Sequence, residues 1–127
     1  NVYRLVYNER VKMLKRKEQK MVITNTKFKI EQMIGRNGNP IASQFTIETD
    51  EGVYFQSYDS IICGKTLYPQ TIEGKQVRVW LDKDYWDYSV TTEKYRNQFL
   101  GETKKETEKK IRSGEYKLTR FSANYPR

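Results

Sequence analysis

Gln44-Phe45-Thr46-Ile47-Glu48-Thr49-Asp50-Glu51-Gly52-Val53-Tyr54-Phe55-Gln56-Ser57-Tyr58 is the stretch on which the fold turns. Phe45 and Ile47 alternate with polar neighbours before Asp50-Glu51-Gly52, and Val53 and Phe55 do so after it. Period-two alternation on both sides of a turn signal predicts a β-hairpin with one buried face. Gly52 is expected in the left-handed position of a three-residue turn with a bulge. Tyr54, Gln56 and Tyr58 then share the other face, either covered or shown to a partner.

Working outward, Val22 and Thr24, then Phe28 and Ile30, predict an earlier strand that begins at Met21 and ends by Ile34. Gly35-Arg36-Asn37-Gly38-Asn39-Pro40 has turn chemistry and predicts a loop or wide hairpin turn. It lacks the Gly-Lys-Ser/Thr ending of a phosphate loop. On the other side, Ile61-Ile62-Cys63 predicts a short buried piece, and residues 64–74 with Pro69 a loop. In residues 76–81, Val77, Val79 and Leu81 point one way, with Arg78 and Trp80 the other. The expected sheet is antiparallel, with about four or five strands.

Helical signals follow the strands. Ser89, Thr91 or Thr92 can cap a helix that runs to Leu100 and stops at Gly101. Thr103 and Glu106 have the spacing of a capping box, opening a second helix that Gly114 ends. Tyr116, Leu118 and Phe121 predict a return to the sheet edge. Strands first and helices after them give an α+β fold class rather than alternating parallel units. Residues 21–121 are read as one domain, residues 1–20 as a basic arm outside the domain proper, and residues 122–127 as a tail. Asn1 opens the chain, which leaves Met13 and Met21 as alternative starts.

Composition narrows the chemistry. The 127 residues suit a single core, and ten Tyr, five Phe and two Trp exceed what disordered chains carry. The chain contains no His, which removes Ser-His-Asp and Cys-His catalysis and leaves too few soft ligands for zinc. Cys63 is the single cysteine, so no intramolecular disulfide can form, and its apolar setting reads as a buried hydrophobe. No stretch approaches a membrane span or a signal-peptide core, so no membrane partner is expected and the location is taken as cytoplasmic. No cofactor is expected. The net charge of +8 is uneven: residues 1–20 carry +5, residues 21–101 carry −1 and residues 102–127 carry +4.

Three residue groups are candidates for function. Tyr85, Trp86 and Tyr88, with Tyr95 on the helix that follows, can stack bases, with Lys94 and Arg96 beside them. Lys104, Lys105, Lys109, Lys110 and Arg112 can track phosphates, or can be a solvated helix face with internal salt bridges to Glu106 and Glu108. Core packing is the competing role for the aromatics. Asp82, Asp84 and Asp87 crowd one loop and can bind a divalent cation or do acid-base work, but their spacing is not that of a calcium loop, and turn formation and helix-leading roles compete.

The string Val79-Trp80-Leu81-Asp82-Lys83-Asp84-Tyr85-Trp86-Asp87-Tyr88-Ser89, then Thr91-Thr92-Glu93-Lys94-Tyr95-Arg96-Asn97-Gln98-Phe99-Leu100-Gly101-Glu102, resembles a small uncharacterised family encoded by bacteriophages and mobile elements of bacteria. The resemblance extends back through the Asp50-Glu51-Gly52 turn and residues 55–62, and forward to residues 113–116, covering roughly residues 21–120. It implies no established activity. The resulting expectation is a phage-type accessory protein of a bacterial host that acts by binding and is not an enzyme. Nucleic acid is the first partner class. A host or phage protein, met as an inhibitor or adaptor through the same aromatics, is the second. A metal-dependent hydrolase using the three aspartates is a third.

Overall fold

A computed structural model describes residues 28–121. The basic arm at 1–20, the strand start at 21–27 and the tail at 122–127 lie outside the described residues. The chain forms β1 (Lys29–Ile34), β2 (Pro40–Thr49), β3 (Gly52–Ser57), β4 (Ser60–Ile72), β5 (Lys75–Asp82), helix α1 (Val90–Leu100), helix α2 (Lys104–Ser113) and β6 (Tyr116–Thr119). All six strands join one sheet in chain order. Every neighbouring pair is antiparallel except β5 and β6, which run parallel because the two helices carry the chain back to the start of the edge.

Register explains which face is buried. Phe55 lies opposite Cys63, and Cys63 opposite Leu81. Opposed residues share a face, so Phe55, Cys63, Leu81 and, next to them, Val79 and Tyr116 form one apolar surface. Helix α1 covers it over β3 and β4, with Phe99 stacked on Phe55 at 5.8 Å between ring centres. Helix α2 packs beside β6. The alternate positions Ile30, Phe45, Ile47, Tyr54 and Trp80 point to the face away from the helices. Cys63 is wholly buried, and that burial pushes its thiol far above the ordinary range, which keeps it unreactive.

Several expectations change in detail. The central hairpin closes with two residues, Asp50 and Glu51, because Thr49 and Gly52 are already paired, and this one-residue shift sets Phe45 and Ile47 opposite Gln56 and Tyr54, on the other face from Val53 and Phe55 with which they were expected to be buried. The Thr49 hydroxyl accepts the N–H groups of Glu51 and Gly52 at 3.2 and 3.3 Å and holds the turn. Gly52 is not among the residues with positive φ. Residues 60–72, expected as a short piece and a loop, form one strand. It is interrupted where Thr66, Leu67, Tyr68 and Pro69 face only Arg78 across the ladder. Pro69 has no N–H to donate and is accommodated in this bulge. Among the described residues the sheet thus has six strands where four or five were expected.

Both helix boundaries follow from their caps. The Ser89 hydroxyl accepts the N–H of Thr92 at 3.1 Å, and Gly101 ends α1 at φ 70°. The Thr103 hydroxyl accepts the N–H of Glu106 at 3.3 Å, and Gly114 ends α2 at φ 84°. Positive φ at these two glycines is the left-handed stop that terminates a helix.

Candidate functional site

The segment 83–89 between β5 and α1 is where the candidate aromatics and aspartates meet, and its shape is set by Asp82. This carboxylate, buried at the end of β5, accepts the N–H groups of Asp84 at 2.9 Å and Tyr85 at 2.8 Å through Oδ2. Its Oδ1 accepts the N–H of Phe121 at 3.0 Å, tying the chain beyond β6 to the same point. An aspartate bonded to the backbone two and three residues on is a turn former. The turn sends Tyr85 outward and Trp86 inward.

Trp86 packs against the core and lies under the guanidinium of Arg96, whose central carbon is 4.9 Å from the ring centre. Arg96 is fully buried. Its Nη1 donates to the Trp86 carbonyl and to Asp87 Oδ1, and its Nη2 donates to Asn97 Oδ1 at 3.3 Å. The other oxygen of Asp87 meets Lys104 Nζ at 2.8 Å, and this contact raises the ammonium pKa above its usual range. Asp87 therefore ties α1 and α2 to the loop through two cations. Asp84 faces Arg120 at 3.2 Å. The three aspartates thus have three separate sets of partners, and among the described residues no group of three or more Cys, Asp or Glu side chains is arranged to hold a metal ion.

What the loop leaves outside is a pair of tyrosines. Tyr85 and Tyr88 are 40% and 45% exposed, with ring centres 5.7 Å apart and planes at 89°. Thr92, buried at the start of α1, links this loop to the β3–β4 turn, because its hydroxyl contacts Ser89 at 3.0 Å and Ser57 at 2.9 Å. Tyr58, beside Ser57, and Val90, beside Ser89, are exposed at the same end of the helix.

Helix α2 divides its cations by depth. Thr107 is buried and Ile111 packs on the core. Lys110 Nζ reaches the buried carboxylate of Glu102 at 2.7 Å, and the Thr107 hydroxyl donates to the same carboxylate at 3.1 Å. On the opposite side, Lys105, Lys109 and Arg112 follow one another at spacings of four and three and share the outer face. Among the described residues Lys105 and Lys109 have no ion-pair partner, and Arg112 stands 4.0 Å from Glu108.

Residues 28–115 match the family described as "Family of unknown function (DUF8033)", which covers more than half of the chain. The chain belongs to the DUF8033 family. No curated protein and no solved structure matches it. The DUF8033 span opens one residue before β1 and ends one residue before β6, so it holds all of loop 83–89 and both helices. It is shorter at both ends than the resemblance over residues 21–120 suggested.

Placed on the DUF8033 domain, the candidates separate into two groups. Tyr85, Tyr88, Lys105, Lys109 and Arg112 are at the surface. Trp86, Tyr95 and Arg96 build the support beneath it, with the Lys94 ammonium over the Tyr95 ring at 5.3 Å, Lys104 tied to Asp87, and Lys110 tied to Glu102. Sequence reasoning did not single out Ser57 or Glu102, and it grouped Arg96 with the cations able to reach a ligand. One signal for its depth was present: Thr92, Arg96 and Phe99 stand at i, i+4 and i+7, the spacing of one helix face.

The Glu102 cluster makes a pH prediction. Burial alone would favour the protonated carboxyl, but Lys110, Tyr116 and Thr107 donate to the charged form and hold the pKa below the usual carboxylate range. A depressed folded-state pKa contributes stability above the unfolded value of about 4.3, and that contribution is lost as pH falls through the folded value. Glu102→Gln is expected to lower the urea midpoint at pH 7 and to differ much less from the parent protein at about pH 3. Equal differences at both pH values would exclude this role for the charge.

Proposed function

We propose that this protein acts by binding, as a phage-type accessory protein in the cytoplasm of a bacterial host, and that it holds a single-stranded segment of nucleic acid along loop 83–89 and the outer face of α2. The observation that carries the reading is the edge-to-face pair Tyr85–Tyr88, exposed on a loop fixed from below, beside a helix whose outward cations lack tight ion pairs. Exposed rings stack on unpaired bases, which a duplex keeps inside. Lys105, Lys109 and Arg112 supply three phosphate contacts. Residues 28–121 hold fifteen basic and fourteen acidic side chains, a net of +1, so the affinity rests on this local stripe rather than on the field of the whole domain.

The experiment is fluorescence anisotropy of labelled single- and double-stranded oligonucleotides over a range of salt. Three phosphate contacts predict a log–log salt slope of roughly −2 for single strands from this surface. The Tyr85→Ala/Tyr88→Ala variant is expected to lose single-strand binding by about tenfold or more, since each stacked base contributes about 1 to 3 kcal/mol. Lys105→Ala/Lys109→Ala is expected to weaken binding and flatten the salt slope. Absence of binding at low salt, or binding indifferent to both variants, would refute the proposal.

A protein partner is the second reading, and one observation favours it: Tyr88, Val90 and Tyr58 are all exposed, and the Ser57–Thr92 hydrogen bond brings the β3–β4 turn that carries Tyr58 to the start of α1 where Val90 lies. Such residues anchor protein interfaces. Tyr58→Ala/Val90→Ser is expected to weaken a protein complex with little salt dependence and to leave oligonucleotide binding unchanged.

A further inference from the structure

Among the described residues strand β1 has a neighbour on one side only, and its outer edge meets no strand. An open edge is a row of unpaired N–H and C=O groups, and proteins commonly block such rows with proline, bulges or charged side chains, which repel a like-charged strand. Over Lys29–Ile34 the edge has no proline, its register with β2 becomes irregular only between Gln32 and Ile34, and its charges are one Lys and one Glu. It also carries apolar side chains to the surface: Phe28, Ile30 and Ile34 are 64%, 65% and 50% exposed. Ile30 lies opposite Ile47, on the sheet face away from the helices, so the apolar character of that face runs outward to the edge.

We propose that β1 pairs edge to edge with β1 of a second copy of this chain, antiparallel about a two-fold axis at Ile30, so that two sheets become one. A two-fold axis perpendicular to the sheet keeps each residue on its own face. Ile30 then faces Ile30 of the second copy, and Phe28 faces Gln32. Lys29 faces Glu31, and Glu31 faces Lys29. Within one strand Lys29 and Glu31 already share a face, with Nζ 2.9 Å from the carboxylate. Across the axis each charge acquires an opposite partner, with Cβ atoms about 4.5 to 5.5 Å apart. Charge also selects the register. Moving the axis by one residue sets Lys29 against Lys29, or Glu31 against Glu31, and like charges directly opposite are unfavourable.

A contact of this length is smaller than a standard interface, so the dimer is weak and visible only as concentration rises. The test is sedimentation velocity of the full chain from about 10 μM to about 1 mM, the range in which weak interfaces assemble. The parent protein is expected to move from the mass of one chain toward that of two. Lys29→Glu and Glu31→Lys, taken singly, each set like charges across the axis and are expected to raise the dissociation constant by about tenfold or more. An equimolar mixture of the two variants is expected to restore association, because each supplies the charge the other has lost. Both side chains are exposed, and unchanged circular dichroism spectra of the variants confirm that the fold is intact. A single-chain mass across the whole range overturns the proposal. So does association that ignores both reversals, which would assign it to residues 1–27 or another surface, and so does a mixture that associates no better than either variant alone.

Discussion

Arg96→Ala is expected to cost about 3 to 5 kcal/mol of stability, close to the largest single-residue loss this fold can show, because it breaks a charge pair whose arginine is wholly buried. The guanidinium does three things at once. It fills space between α1 and the sheet, covers the face of Trp86, and donates to the Trp86 carbonyl, Asp87 and Asn97. Removing it leaves a cavity and deprives a half-buried carboxylate of one of its two cations. Arg96→Lys is expected to recover little, since an ammonium has no planar fork to span a carbonyl and a carboxylate and no flat face to stack on the indole. Lys104→Ala removes the other cation of Asp87 but from a solvent-screened position, and its loss is expected to be much smaller. Urea unfolding of the three variants checks this ranking. An Arg96→Ala protein as stable as the parent would mean that Trp86 and Asp87 are positioned by something else, and the support assigned to the Tyr85–Tyr88 surface would be lost with it.

The sequence speaks clearly where one residue decides a local geometry. Ser89 and Thr103 announce helix starts, Gly101 and Gly114 announce stops, and the alternation in β3 and β5 names the face under the helices, since each signal acts within a few residues. In β2 the alternation misleads, because the two-residue turn shifts the register by one and sends Phe45 and Ile47 to the opposite face from Phe55. It speaks less clearly where partners lie far apart in the chain. Residues 60–72 read as two pieces because Pro69 and Gly64 resemble breakers. Pairing with β3 on one side and β5 on the other holds them in one strand, with the proline placed in a bulge. At the candidate site the composition was legible and the depth was not. Tyr85, Trp86 and Tyr88 look equivalent in sequence, and the turn set by the N–H groups of Asp84 and Tyr85 donating to the Asp82 carboxylate separates the inward ring from the outward ones. Arg96 looked like a surface cation because arginine is almost never fully buried unless paired. Its partner Asp87 is nine residues away across a turn.

Gly52→Ala is expected to cost about 3 kcal/mol or more, for a reason that differs from the one its sequence suggests. Following Asp50-Glu51, the glycine reads as a left-handed turn position, yet its φ is not positive. Proximity is what demands glycine here. A Cβ at this position would stand 2.2 Å from the Lys65 carbonyl oxygen and 3.0 Å from the Thr66 Cα. Both neighbours are backbone, in the β4 strand that pairs with Gly52 through Thr66. Neither can rotate away as a side chain would. Relief requires β3 and β4 to separate where the 66–69 bulge begins and where the Leu67 N–H donates to the Glu51 carbonyl at 2.9 Å. Gly74 supplies the contrast: its φ is +80° but nothing lies within 4 Å of its Cβ position. Gly74→Ala therefore bears only the conformational cost of a left-handed residue, about 1 to 2 kcal/mol. Thermal or urea unfolding of the two variants separates the two causes. A markedly larger loss at Gly52 identifies close strand packing as the constraint, whereas equal losses would return it to backbone conformation.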